Sequence, residues 1–215
     1  MVMTVVVRTR LRHSLLIVLV MSVVVAMAWG AFRARQERLT RRIISATMQG
    51  DVEEVNALLR AHPRLVTLRD EHGRSLLHLG ARWGGKDVEE VLLSHQAEVD
   101  AREPVRGETP LLTAVAYRGI TETRSQESRR AATRVLLAAG ADVNATDHAG
   151  ETGLYKAVWT DDPQLLEILL EYGANVNARE VNGGTPLDLA IVAGFHRAAE
   201  VLRKHGGKTH TELTP

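Results

Sequence analysis

The 215-residue chain is 45% apolar and 25% charged, an ordinary globular composition, and its formal charge of +1 conceals a strong division. Residues 1–42 carry Arg8, Arg10, Arg12, Arg33, Arg35, Arg38, Arg41 and Arg42 against the single acid Glu37, so acids outnumber bases in residues 43–215. A mildly acidic main body argues against a nucleic-acid footprint, and the absence of cysteine excludes disulfides, thiolate catalysis and zinc–thiolate sites.

Residues 1–14 read as a basic tail. Leu15–Phe32 follows, 18 residues interrupted only by Ser22 and Gly30. As a helix it would be about 27 Å long, close to the roughly 30 Å hydrocarbon core of a bilayer. Arginines bracket both ends, and Trp29 sits where an interfacial aromatic belongs. The segment is therefore predicted to be a transmembrane helix. A cleaved signal peptide is the competing reading, because Ala26-Met27-Ala28 is a small-x-small site behind a basic start. The retained anchor is favoured: no polar or helix-breaking residue precedes that site, and the apolar run continues past it. The two flanks carry nearly equal positive charge, so the side of the membrane is left open. Residues 33–42 form a basic, helix-compatible connector, a stop-transfer flank that would also be drawn to anionic headgroups.

From residue 43 the chain repeats itself. The turns before each first helix read Gly73-Arg-Ser-Leu-Leu, Gly107-Glu-Thr-Pro-Leu, Gly150-Glu-Thr-Gly-Leu and Gly183-Gly-Thr-Pro-Leu, with glycines 34, 43 and 33 residues apart. Second helices align on Leu58-Leu59, Leu92-Leu93, Leu136-Leu137 and Leu169-Leu170, with Val201-Leu202 closing the series. Three units end alike, on Ala97-Glu-Val-Asp100, Ala141-Asp-Val-Asn144 and Ala174-Asn-Val-Asn177. Each recurring residue has a local reason. Ser75, Thr109, Thr152 and Thr185 are placed to N-cap first helices, and Pro110 and Pro186 fall at the first helical position, where a missing N–H is harmless. Gly140 and Gly173 stand where a left-handed residue ends the second helix. The leucines have no core within one unit, and stacking neighbours would bury them.

This pattern resembles the ankyrin repeat family over residues 43–208. The resemblance implies an all-α solenoid of about five helix–turn–helix repeats with short β-hairpin fingers. The units are 43–68, 69–101, 102–145, 146–178 and 179–208, with 209–215 left as a C-terminal tail. The first unit lacks a finger and reads as an N-terminal cap. Gln96 replaces the helix-ending glycine, so that end is expected to relax differently. Asp188 takes the place of His78, a histidine that in this family usually bonds between repeats. The third unit carries about ten extra residues, ITETRSQESRR, read as an N-terminal extension of its second helix or a surface excursion. Read functionally, the insert would project Arg124, Arg129 and Arg130 as a contact element.

No catalytic pattern emerges. The nine histidines make no HExxH arrangement, there is no Gly-x-Ser-x-Gly elbow, and Gly183-Gly184 is not followed by Gly-Lys-Ser/Thr. Acidic pairs such as Glu53-Glu54 and Asp161-Asp162 fall at helix starts, where they complement the helix dipole. No cofactor, metal or small-molecule substrate is expected. The resemblance implies partner binding by the finger tips and by the ends of the first helices. The matching positions are Arg82 and Trp83, Tyr117 and Arg118, Trp159 and Thr160, and Val192 and Ala193. Finger candidates include His72, Val105, Arg106, His148, Val181 and Asn182. Trp, Tyr and Arg supply most interface hot spots, though the same aromatics would also serve to pack neighbouring repeats. The expectation is a non-enzymatic protein-interaction module held at a membrane, or alternatively an exported soluble domain, with an unspecified protein partner.

Overall fold

A computed structural model describes the backbone of residues 2–116 and 125–214, and the side chains of residues 21–116 and 125–214. The chain divides into two units, residues 1–42 and 43–215. Helix α1 (Val2–Gln49) supplies all the described residues of the first unit and opens the second. In the first unit residues 21–32 are apolar on every face and exposed on every face; Trp29 is 67% exposed and its ring lies 6.0 Å from that of Phe32. Among the described residues no helix is long and apolar enough to cross a membrane. The Leu15–Phe32 run begins before residue 21, so its first six side chains lie outside the described residues.

The second unit is a double row of short helices. Its first-helix row is α3 (Leu76–Leu79, prolonged by a π-turn over Gly80–Gly84), α5 (Pro110–Val115), α7 (Gly153–Val158) and α9 (Pro186–Val192). Its second-helix row is α2 (Val52–Ala61), α4 (Lys86–Ser94), α6 (Gln126–Ala138), α8 (Pro163–Glu171) and α10 (His196–Lys204). Each helix packs on its counterpart one unit away: α3 on α5, α5 on α7, α7 on α9, and likewise α2 to α10 along the other row. The paired leucines fill the space between rows, with Leu59, Leu92, Leu136, Leu169 and Leu202 fully buried. That burial is what joins units too small to fold alone. The end of α1 acts as the first helix of unit one, burying Ile43, Ala46 and Thr47.

Caps fall where the sequence places them. Thr109, Thr152 and Thr185 accept from the N–H groups of Leu112, Tyr155 and Asp188, and Pro110 and Pro186 open their helices. Such a cap is worth about 1 kcal/mol. Gln96 corrects an expectation. It does not relax but takes φ 63°, beside φ 89° and 86° for Gly140 and Gly173, and its N–H bonds to Leu93 O as Gly140 N–H does to Leu137 O. The end of α4 imposes the left-handed turn on a residue that dislikes it, since the Gln96 and Ala97 N–H groups close back on Leu93 O and Leu92 O. Gln96→Gly should therefore stabilise the domain by up to about 1 kcal/mol, the relieved strain less the added freedom of the unfolded chain. Denaturant titration reads this as a higher midpoint at unchanged slope.

The fingers also differ from expectation. They are tight turns with isolated bridges at Arg69–Ser75 and Thr146–Thr152, and no strand occurs among the described residues. Each turn runs straight into an N-cap residue, which leaves no length for a ladder. The expected tail carries one more helix, α11 (His210–Leu213), with a Thr209–Glu212 capping box. His210 Nδ1 lies 2.9 Å from Gly183 O, and its backbone N–H donates to Asp188, so this turn closes the fifth unit.

In the insert, α6 begins at Gln126 with Ser125 as its cap, an N-terminal extension of the second helix. Two of the three insert arginines do not project. Arg129 is buried, and Arg130 pairs with Asp162 at 3.1 Å, the residue that caps α8 of the next unit. Arg124 lies outside the described residues.

Candidate interaction surface

An acidic residue starts every finger and clips it shut. Asp70 accepts from the N–H groups of His72 and Arg74, and Glu103 from those of Val105, Arg106 and Glu108. Asp147 does the same for Ala149 and Glu151, and Glu180 for Asn182 and Gly184. Burial raises the Asp70 and Glu103 carboxyls, but these bonds, joined at Asp70 by Arg74, outweigh it and hold both below their ordinary range. Sequence reasoning missed this device, although the acid recurs just before Gly73, Gly107, Gly150 and Gly183. Paired acids signal catalysis, whereas each finger needs only one.

Side chains then link unit to unit. The first guanidinium bond of each arginine goes to its own finger and the second to the next: Arg69 Nη1 donates to Gly73 O and Arg102 O, Arg102 Nη1 to Gly107 O and Thr146 O. Asn144 spans Asn175 N–H and Gly173 O, and Asn177 repeats the arrangement with Lys208 N–H and Gly206 O. The finger tips bond directly, His148 N–H to Arg106 O at 2.8 Å and Val181 N–H to Ala149 O at 3.0 Å. Gly107 must lack a side chain, because a Cβ there would meet the His148 ring at 2.5 Å at φ +72°.

His78 bonds between repeats as the resemblance implied. Nε2 donates to Glu108 O at 2.9 Å, while Nδ1 accepts from Ser75 N–H and lies 2.8 Å from its Oγ. A carbonyl only accepts and an amide only donates, so the ring is neutral. Burial is the main reason its pKa falls below 6.5. A second ring proton would face an N–H and is favoured in the unfolded chain. The corresponding stability is complete above pH 6.5 and declines as pH falls below it. Asp70, Glu103 and Asp188, all held low, add a second decline below their ordinary values of 3.8 and 4.5. Melting temperature against pH should show both stages, and His78→Gln should remove the decline just below 6.5 while leaving the acid one.

Between the fingers of the second and third repeats lies a cleft of about 320 Å³, lined by His72, Arg74, Arg82, Arg106 and the bases of Glu103 and Glu108. It brings together three sequence candidates, His72, Arg82 and Arg106. Trp83, 36% exposed in the π-turn, has the Arg82 guanidinium 4.5 Å and the Arg74 guanidinium 5.3 Å from its ring centroid. Trp159, 47% exposed at the end of α7, meets Phe195 edge-on at 5.9 Å. Phe195, which follows the glycine after α9, is an addition to the sequence candidates. Val192 is 87% exposed beside Ile191 at 52%. Other candidates serve the fold: the Thr160 hydroxyl donates to Ala157 O, the Asn182 amide bonds Glu180, and the His148 ring covers Gly107. Tyr117 and Arg118 lie outside the described residues. Among the described residues no three His, Asp or Glu side chains are grouped to hold a metal ion.

Comparison with known proteins agrees with this geometry. The family model "Ankyrin repeats (many copies)" matches residues 136–190, and "Ankyrin repeat" matches residues 72–104. The chain is 34% identical over 113 residues to the NF-kappa-B inhibitor delta of Mus musculus, which covers 51% of this chain and 31% of that protein. It is 32% identical over 125 residues to a putative ankyrin repeat-containing protein of Treponema pallidum (strain Nichols), 58% of this chain and 38% of that protein. A probable E3 ubiquitin-protein ligase of Oryza sativa, XBOS32, is 38% identical over 77 residues, 35% of this chain and 15% of that protein. The chain thus spans well under half of each of these relatives. The caps, the unit-to-unit bonds and the matched segments agree that residues 72–104 and 136–190 are ankyrin repeats.

Proposed function

We propose that the chain is a protein-interaction module without catalysis of its own, held at a membrane by its N-terminal helix. The observation that supports binding is the row of exposed aromatic and aliphatic side chains at the ends of the first helices, Trp83, Trp159, Ile191 and Val192. The second unit's core is otherwise complete, so large apolar groups left in water along one row favour a partner surface. Tethering rests on residues 21–32, apolar and exposed all round, within an apolar run of 18 residues flanked by arginine. The competing reading, an exported soluble domain, rests on the Ala26-Met27-Ala28 site.

Two measurements test this. Crosslinking pull-down with the intact chain should recover a protein partner that the Trp83→Ala/Trp159→Ala variant loses, each truncation weakening binding by about 2 kcal/mol if these are hot spots. The variant should melt within a few degrees of the parent; unfolding in place of lost binding would show that the indoles only pack. N-terminal sequencing of the mature chain decides the tether, and a start at Trp29 would sink it.

A further inference from the structure

We propose that the cleft between the fingers of the second and third repeats takes an acidic side chain of the partner, a carboxylate followed by apolar residues. This rests on the interaction reading above and specifies the chemistry of its partner. Charge in the cleft is sorted by depth. Glu103 is 6% exposed, and its oxygens are occupied by three backbone N–H groups. Glu108 is 4% exposed and faces the Lys156 ammonium at 3.4 Å. The acids point inward and are already compensated. Arg106 points outward: its side chain is 64% exposed and reaches Glu108 only at 4.0 Å, and the His72 ring in the same lining is 58% exposed.

The arginines are also ordered in advance. Arg74 is engaged by Asp70 through Nε at 2.8 Å and Nη2 at 2.6 Å, and both Arg74 and Arg82 lie against the Trp83 ring. Arg82, stacked on the indole, loses little further freedom when its guanidinium meets a carboxylate. Val105, 70% exposed, stands at the rim, and the exposed apolar row continues on later first helices at Trp159 and Val192. A small free acid would fill the cleft and ignore that row. An extended segment meets both, with its acidic group at the second and third units and its apolar groups beyond.

Peptides selected from a random phage-displayed library on the full-length chain, kept in mild detergent, test the proposal. The enriched sequences should share an Asp or Glu next to apolar residues. Their synthetic copies should lose roughly tenfold or more in affinity on Arg82→Gln/Arg106→Gln, and should weaken as salt is raised. Changing the shared Glu to Gln in the peptide should cost the same on the parent and nothing more on the variant, as a coupled pair requires. If the double variant melts early, Arg106→Gln alone serves for the same cycle. Enriched peptides without an acidic residue, or bound equally by parent and variant, would overturn the acidic-cleft proposal and leave the interaction module standing. Enrichment of nothing would overturn both.

Discussion

Lys156→Met is expected to destabilise the domain by about 3–5 kcal/mol, the cost of removing one partner from a buried ion cluster. The Lys156 ammonium lies 2.6 Å from Asp147, 2.9 Å from Glu151 and 3.4 Å from Glu108, with its side chain 11% exposed and those of Asp147 and Glu108 6% and 5%. Burial alone would lower its pKa, but the bonds from Asp147 and Glu151 and the charge of Glu108 outweigh that and raise it. The lysine remains charged across the working range. Methionine fits the space, so the loss is electrostatic: carboxylates from two adjacent fingers would face one another with only Arg106, 4.0 Å from Glu108, as a cation. Adding Glu108→Gln should restore part of the stability by removing one of them. Melting curves of the parent, the single and the double variant measure both effects. An unchanged melting temperature for Lys156→Met would show that the cluster is solvated.

Leu136→Ala should destabilise by about 2–5 kcal/mol, and its position matters more than its size. Leu136 is fully buried on α6, which packs against α4, α5 and α8. In a stack whose units contact only their neighbours, weakening a central unit weakens both of its interfaces. Unfolding should broaden or split, with the units before and after α6 losing cooperation. Leu202→Ala removes an equally buried leucine from α10 in the last unit. Its effect should stay local, loosening α9 to α11 first. Hydrogen exchange along the chain separates the two patterns. Uniform loosening from Leu202→Ala would argue that the unit melts as one cooperative body.

Much of this was written into the chain. Thr109, Thr152 and Thr185 announce helix starts because a hydroxyl at an N-cap acts within a few residues. Gly140 and Gly173 announce helix ends for the same reason of range. The 33-residue period of the leucines implies stacking, since no single unit offers them a core. His78 could be placed between repeats from its position in the motif. Even the single acid before each finger glycine was legible once one asked what satisfies a tight turn's amides.

What the sequence could not decide involves groups brought together from different units. Arg129 and Arg130 read as exposed charges on a polar insert, but the packing of α6 buries one and sets the other on the cap of α8. Lys156 resembles any surface lysine until two fingers place three carboxylates around it. The cleft of His72, Arg82 and Arg106 likewise exists only where one finger stands beside the next. Local sequence fixes caps, turns and period because those forces act over three or four residues. Burial and charge pairing depend on what the stack places opposite, and that is settled only when the units pack.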